Sequence, residues 1–416
     1  MDPAVTVLFL GLLIFLGNIL SRFFTLTKIP DVLFLIAIGI IIGPFLGLVT
    51  PEAFGVVGPL FTMVTLAIIL FEGGLHITIG ALKKSINGTV AITAANFVVM
   101  IVICIVIMKY MAGLTVIESC ILGAILGGTS SAVVIPFTNY LNLKDDTKAI
   151  LALESAMSDV LCIVVLLALL DVVKLQEFNA GHLIGNLLAS FLVAIIIGVI
   201  AGVWWSSVYQ RLKSIKSIFI TPAFVFIVFG FVSLLGFSGA IAALALGVTL
   251  GNLNYFKAEK ILPFLGENIT QVELTPIEKE FFAQLVSLLK TFFFIYIGIS
   301  IHFTYMEIIY MGAALTVAIY LARIVMVWFT IPRSIPASDA AIMAVMEPKG
   351  LAAAVLASLP LEAGLAAGQA IQDITYIVIF FSILVCSVMI FLLERTAFAR
   401  VYRKLFWMFG KETTTS

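Results

Sequence analysis

One stretch, Glu154-Ser155-Ala156-Met157-Ser158-Asp159, sets two carboxylates and two hydroxyls inside otherwise apolar sequence. Ala149 to Leu153 precede it, and Val160 to Leu170 follow. A charge near the centre of a bilayer costs at least about 2.5–3.5 kcal/mol, so such residues are rare and a working role is the default reading. Ser155 lies four residues before Asp159 and therefore shares its helix face. A carboxylate beside a hydroxyl offers hard oxygens, and these can hold a small cation or, at the acid, a proton. Thr129 or Ser130, in Leu126-Gly127-Gly128-Thr129-Ser130-Ser131, would extend that ligand set.

Six ionisable residues besides Asp159 lie in apolar surroundings. Unpaired charges there would be prohibitive, and removing one partner strands the other, so structural pairing is the first expectation. Glu154 is expected to pair with Arg323, because arginine stays charged and suits a permanent partner. Glu347 and Lys349 flank a second polar interruption, Met346-Glu347-Pro348-Lys349-Gly350-Leu351. Glu72, in Phe71-Glu72-Gly73-Gly74-Leu75, is read as a vestibule carboxylate that attracts cations, or as a surface acid without a role. Lys290 is assigned nothing.

The elements that must position these groups follow from composition. The 416 residues are 62% hydrophobic and 11% charged, against about 25% charged in soluble domains, so the chain reads as an all-α polytopic membrane protein. A spanning helix needs about 20 largely apolar residues, and that rule yields thirteen spans. The fourth covers 89–110, the fifth 114–141, the sixth 147–172, the eleventh 307–331, the twelfth 337–360 and the thirteenth 370–393. No cleavage site follows the first apolar run (4–21), so it is expected to be retained. The link from Tyr255 to Glu280 is expected to lie along the membrane surface. The net charge is zero, which suggests no nucleic-acid partner. The cysteines lack metal-ligand spacing and read as small buried hydrophobes.

With the N-terminus outside, nearly all loop lysines and arginines face inward, Lys109 and Lys174 excepted. The C-terminus is then cytoplasmic. The first six and last six spans can form two inverted six-helix repeats joined by the seventh. The fifth and twelfth spans correspond under that symmetry, and both are broken. Gly127-Gly128 followed by hydroxyl residues is poor mid-helix sequence, and Pro348 removes a donor and clashes with the preceding turn. Broken backbone at membrane depth is tolerated only where protein or a water-filled cavity satisfies it. A matched pair of breaks points to a midplane substrate site reached by alternating access.

In order and spacing, several pieces resemble the monovalent cation:proton antiporter superfamily, in particular its sodium/proton exchanger (NhaP-like) branch. They are Lys28-Ile29-Pro30-Asp31, Phe71-Glu72-Gly73-Gly74-Leu75, the break at Thr129, Glu154 to Asp159, and Pro348-Lys349-Gly350-Leu351. The resemblance covers nearly the whole chain. It implies crossed broken helices and an elevator-like movement of a core domain against a dimerisation domain. The dimerisation domain would take 1–80 and 216–305, and the core repeats 81–175 and 306–394. Segment 176–215 would be a linking helix and 395–416 a short cytoplasmic tail. The resemblance puts the essential aspartate at Asp159, ion ligands at Thr129 and Ser155, a structural pair at Glu154 and Arg323, and the basic residue of the second break at Lys349.

Three positions depart from the family pattern. Ser158 stands where Asn or Asp is usual. Thr129-Ser130-Ser131 replaces a common Thr-Asp-Pro, with Glu347 offered as a stand-in for the missing acid. Lys349 replaces an arginine. The implied activity is exchange of a monovalent cation, Na+ first, for H+ across the cell membrane. It is expected to be electroneutral, since Ser158 leaves one carboxylate where the electrogenic branch has two. The implied partners are membrane lipid and a second copy of the chain. No cofactor is expected beyond the transported ion and H+, and no enzymatic activity. The rival readings are a K+/H+ antiporter, a cation channel on the same scaffold, and an intramembrane serine protease. The last rests on Gly236-Phe237-Ser238-Gly239, a pattern that would need a partner base.

Overall fold

In a computed structural model, described for residues 11–12, 15, 31–51, 57–76, 79–175, 180–212, 218–253, 276–301 and 306–410, apolar runs become helices and the described residues contain no strand. A single bridge joins Pro336 to Gly410. Among these residues six helices are long and apolar enough to cross a membrane, and the other apolar helices are shorter. The first expected span and most of the 255–280 link lie outside the described residues.

The chain packs as two compact units. The first comprises Met1–Gly55, Ser85–Leu170 and Lys290–Ser416. It opens with α1 (Asp31–Ile40), which runs into a wider turn, Ile41–Phe45, around Pro44. Asp31 at the start of α1 pairs with Lys290 Nζ at 2.7 Å. The second unit comprises Val56–Lys84 and Asp171–Leu289. Its helix α2 (Val57–His76) carries Glu72.

Helix α3 (Ile79–Met111) begins at Ile79, where the fourth span was expected to start at 89. Lys83 and Lys84 therefore ride on a helix rather than in a loop. Hydropathy finds only the stretch apolar enough for lipid, and a helix can continue past it.

Helix α4 (Val116–Leu126) starts at a capping box. The Thr115 hydroxyl accepts from Glu118 N, and the Glu118 carboxylate accepts from Thr115 N at 2.8 Å. It stops at Gly127, and α5 (Ser131–Tyr140) resumes after the interruption. Then comes α6 (Asp145–Leu175). Its first turn is capped from far along the chain: Asp339 Oδ2 accepts from Lys144 N at 3.0 Å and from the Thr147 hydroxyl at 2.8 Å.

In the second unit, α7 (Ala180–Leu212), α8 (Ile220–Leu234) and α9 (Gly239–Gly251) follow. Helix α9 meets α2 so closely that a Cβ on Gly247 would lie 2.1 Å from Phe71 O. Without a hydrophobic drive between helices in lipid, small residues that admit such approach supply the packing. Ser238 caps α9, its hydroxyl accepting from Ile241 N at 3.3 Å, and Gly236 takes φ +83° before it. The Gly-x-Ser-Gly pattern is thus a helix start with its hydroxyl engaged in capping.

Helices α10 (Pro276–Ser300) and α11 (Met306–Thr330) lead to the second interruption. The twelfth expected span appears as three short pieces, α12 (Ala337–Met343), α13 (Leu351–Leu356) and α14 (Leu359–Glu362). The long α15 (Gly368–Arg395) follows, then α16 (Phe398–Arg403) and a tight turn over Lys404–Phe406. This last segment folds back onto the first unit. Tyr402, Phe406 and Phe409 are buried, and burial pushes the Tyr402 hydroxyl up to about 12.

Candidate functional site

Both interruptions lie in the first unit, and their backbones meet. The end of one helix and the start of the next leave orphan carbonyls and amides. At the first break these find partners in sequence-distant groups. Ser130 N donates to Pro348 O at 2.7 Å. Thr129 N donates to the Ser158 hydroxyl at 3.1 Å. Gly128 O accepts from Lys349 Nζ at 3.0 Å. Gly350 permits the close meeting, since a Cβ there would lie 2.0 Å from Ser130 Oγ. At the second break, Lys349 N donates to the Ser382 hydroxyl on α15 at 2.9 Å.

Helix α6 lays its polar residues against the first break. Ser155 and Thr129 share a hydrogen bond between hydroxyls at 3.0 Å. The Ser158 hydroxyl donates to Ser155 O while accepting from Thr129 N. Both hydrogen bonds of Ser158 thus go to backbone, one of them at the break. The Asp159 carboxylate sits over Gly128, where a Cβ would lie 3.3 Å from its Oδ1. Glu154, Ser155 and Ser158 are buried, whereas Asp159 is half-buried. Among the described residues, nothing donates to the Asp159 carboxylate or pairs with it.

The other four charges pair with one another, although Glu347 Oε2 makes no hydrogen bond among the described residues. Arg323 on α11 grips Glu154 with both terminal nitrogens, Nη1 on Oε1 and Nη2 on Oε2 at 2.7 Å. Its Nε donates to Met343 O at 3.1 Å, which fixes the end of α12. Arg323 Nη1 also lies 3.3 Å from Glu347 Oε2. Glu347 Oε1 accepts from Lys349 Nζ at 2.5 Å and from Asn96 Nδ2 on α3 at 2.8 Å. Two acids and two bases thus form a neutral set, fully buried.

The structure brings together Thr129, Ser130, Ser155, Ser158, Asp159, Glu154, Arg323, Glu347 and Lys349. Glu72 lies half-buried on α2 in the second unit. Glu347 reaches the first break through Lys349, whose ammonium donates to the Gly128 carbonyl. Sequence reasoning missed Asn96 and Ser382. Asn96 is an uncharged polar residue within a long apolar run, a detectable signal; Ser382 is not distinguishable from an ordinary serine of a spanning helix.

Comparison with known proteins agrees with this architecture. The structure of the sodium proton antiporter MjNhaP1 from Methanocaldococcus jannaschii at pH 8 superposes with a TM-score of 0.74 at 21% identity, covering 93% of this chain and 100% of that one. An electron-microscopy structure of the same antiporter gives 0.68 at 22% identity, covering 99% and 100%. At that identity the likeness speaks for the fold. A curated relative, Na(+)/H(+) antiporter 1 of the same organism, is 29% identical over 170 residues, which span 39% of this chain and 39% of the relative's own length. The family model described as "Sodium/hydrogen exchanger, transmembrane" matches residues 11–395, so the chain belongs to the sodium/hydrogen exchanger family.

Proposed function

We propose that this chain exchanges a monovalent cation, Na+ first, for H+, with Asp159 as the group that holds one or the other. The supporting observation is the contrast among the buried charges. Glu154, Arg323, Glu347 and Lys349 are matched, while among the described residues the Asp159 carboxylate makes no hydrogen bond or ion pair where it faces the broken backbone at Gly128. A paired acid is occupied by its partner. An unpaired one beside oxygen ligands can trade a proton for a cation. Thr129 and Ser155 would supply those ligands, with Ser130 next to them. Ser130 Oγ is buried with no hydrogen-bond partner among the described residues, which suits an oxygen kept for an ion.

The remaining expectations belong to this reading. The broken spans would correspond in two inverted repeats of a thirteen-span chain. A core of 81–175 and 306–394 would shift against a dimerisation domain of 1–80 and 216–305 in a homodimer. The N-terminus would lie outside the cell membrane and the C-terminus inside, with Glu72 lining the inner vestibule. The ion and the proton would be the only small molecules required.

The test uses proteoliposomes with an internal pH dye and an imposed Na+, Li+ or K+ gradient. Wild-type protein is expected to move protons against the cation. Asp159→Asn is expected to abolish that movement while folding normally, since Asp159 makes no hydrogen bond or ion pair among the described residues. Wild-type rates in the variant would remove the central claim.

A further inference from the structure

We propose that the segment after α15 is an anchor for the anionic lipid surface of the membrane. Its inner side is fixed to the first unit. Trp328 Nε1 donates to Leu405 O at 2.7 Å, and the Arg333 guanidinium lies over the Phe409 ring at 4.5 Å. Gly410 exchanges two backbone hydrogen bonds with the chain entering α12, Ala337 N to Gly410 O and Gly410 N to Ile335 O, both at 3.0 Å. The segment is thus fastened at the start of the second broken span.

Its other side is uncovered, and its pattern is specific. Phe398, Val401, Leu405 and Met408 recur at helical spacing and are all exposed, Val401 at 64%. Arg395, Arg400 and Lys404 are exposed as well, and Trp407 is 74% exposed. Arg400 lies away from that stripe, Lys404 lies at its edge beside Met408, and Arg395 closes α15 just before it. Exposed apolar side chains flanked by basic residues and a tryptophan are the make-up of a segment lying in the membrane interface.

The position agrees. Two membrane-length helices, α11 and α15, end beside this segment, at Thr330 and Arg395. The stripe therefore lies where hydrocarbon gives way to headgroups. Apolar side chains would enter the acyl boundary, and the guanidinium and ammonium groups would extend to phosphates. The charge selects anionic headgroups: each basic side chain near such a surface strengthens its binding about fivefold. Bound there, the anchor would hold the start of α12 at one depth. The inference depends on the membrane reading of the chain and not on which ion is carried.

The test reads Trp407 itself, as the difference in emission between wild type and Trp407→Phe. Protein is placed in bilayers of mixed phosphatidylcholine and phosphatidylglycerol, with bromine on the acyl chains of one lipid or the other. Quenching of Trp407 is expected to be several-fold stronger from brominated phosphatidylglycerol, and the preference is expected to fall as salt is raised. In the Arg395→Gln/Arg400→Gln/Lys404→Gln variant the preference should vanish while quenching by total lipid remains. Equal quenching by the two lipids in wild type overturns the proposal, as does a preference that salt leaves unchanged. No quenching by either lipid also overturns it, and would place the face in water or against a second copy. None of these readings requires transport, so failure of the exchange activity would register separately.

Discussion

The ammonium of Lys349 bridges the Glu347 carboxylate and the Gly128 carbonyl, 2.5 Å from one and 3.0 Å from the other. It neutralises an acid in its own break and satisfies backbone in the other. Lys349→Met would strand a buried carboxylate, at a cost of about 3–5 kcal/mol. Adding Glu347→Gln leaves Glu154 and Arg323 as a balanced pair, so the double variant should be more stable than Lys349→Met alone. Thermal unfolding in detergent measures both, and a double variant that melts lower would show that the two groups are not compensating charges.

Glu154 and Arg323 form the second matched pair. Either Glu154→Gln or Arg323→Ala should lower the melting temperature markedly, each by the stranded-charge cost of about 3–5 kcal/mol. The double change should cost less than the sum. Strict additivity in that cycle would mean that the ion pair carries no coupling energy. Arg323 also touches Glu347 and Met343 O, so its loss should exceed that of Glu154.

Gly350 tests the meeting of the two breaks. Gly350→Ala places a methyl 2.0 Å from Ser130 Oγ, and the backbones must part. Overpacking of this kind typically costs about 1–3 kcal/mol. Ser130→Gly removes the obstructing oxygen and should restore much of the melting temperature. If Ser130→Gly gives no rescue, the two segments do not approach in the way described.

Exchange should be electroneutral. The four paired charges sum to zero, which leaves Asp159 as the single carboxylate that exchanges its load. A bound proton and a bound monovalent cation bring it the same charge. Arg323 stays charged and cannot release a second proton. In vesicles clamped by potassium and valinomycin, the end-point of sodium-driven proton movement should not change with voltage. A reversal condition that shifts with potential would require a second proton carrier, with Lys349 the first to examine.

Much of the site could be read from residue types, because a charge in lipid announces itself. Asp159, Glu154, Arg323, Glu347 and Lys349 all stand out against apolar runs, and Gly128 and Pro348 mark the breaks by backbone chemistry. What could not be read was who satisfies whom. Lys349 finds a carbonyl, Asn96 finds Glu347 from another helix, and Asp339 caps α6 across 195 positions. Such partners depend on tertiary approach, which hydropathy does not encode. Ser158 shows the same limit. Both its hydrogen bonds go to backbone, at Thr129 N and Ser155 O, which its place beside Asp159 does not announce. The start of α3 was missed for another reason, since a window tuned to lipid stops where polar residues begin.

The long-range pairing of Glu154 with Arg323 bears on how the protein is made. A ribosome delivers Glu154 to the membrane well before Arg323 exists. In that interval α6 must hold an uncompensated acid, and the Gly128 carbonyl waits for Lys349. The first half of the chain therefore cannot settle into its final form during its own synthesis. It must stay adjustable, or shielded by the insertion machinery, until the segments from α11 to α15 arrive. Nascent chains arrested before Arg323 should leave α6 open to cysteine labelling or proteolysis, and chains arrested beyond Ser382 should not.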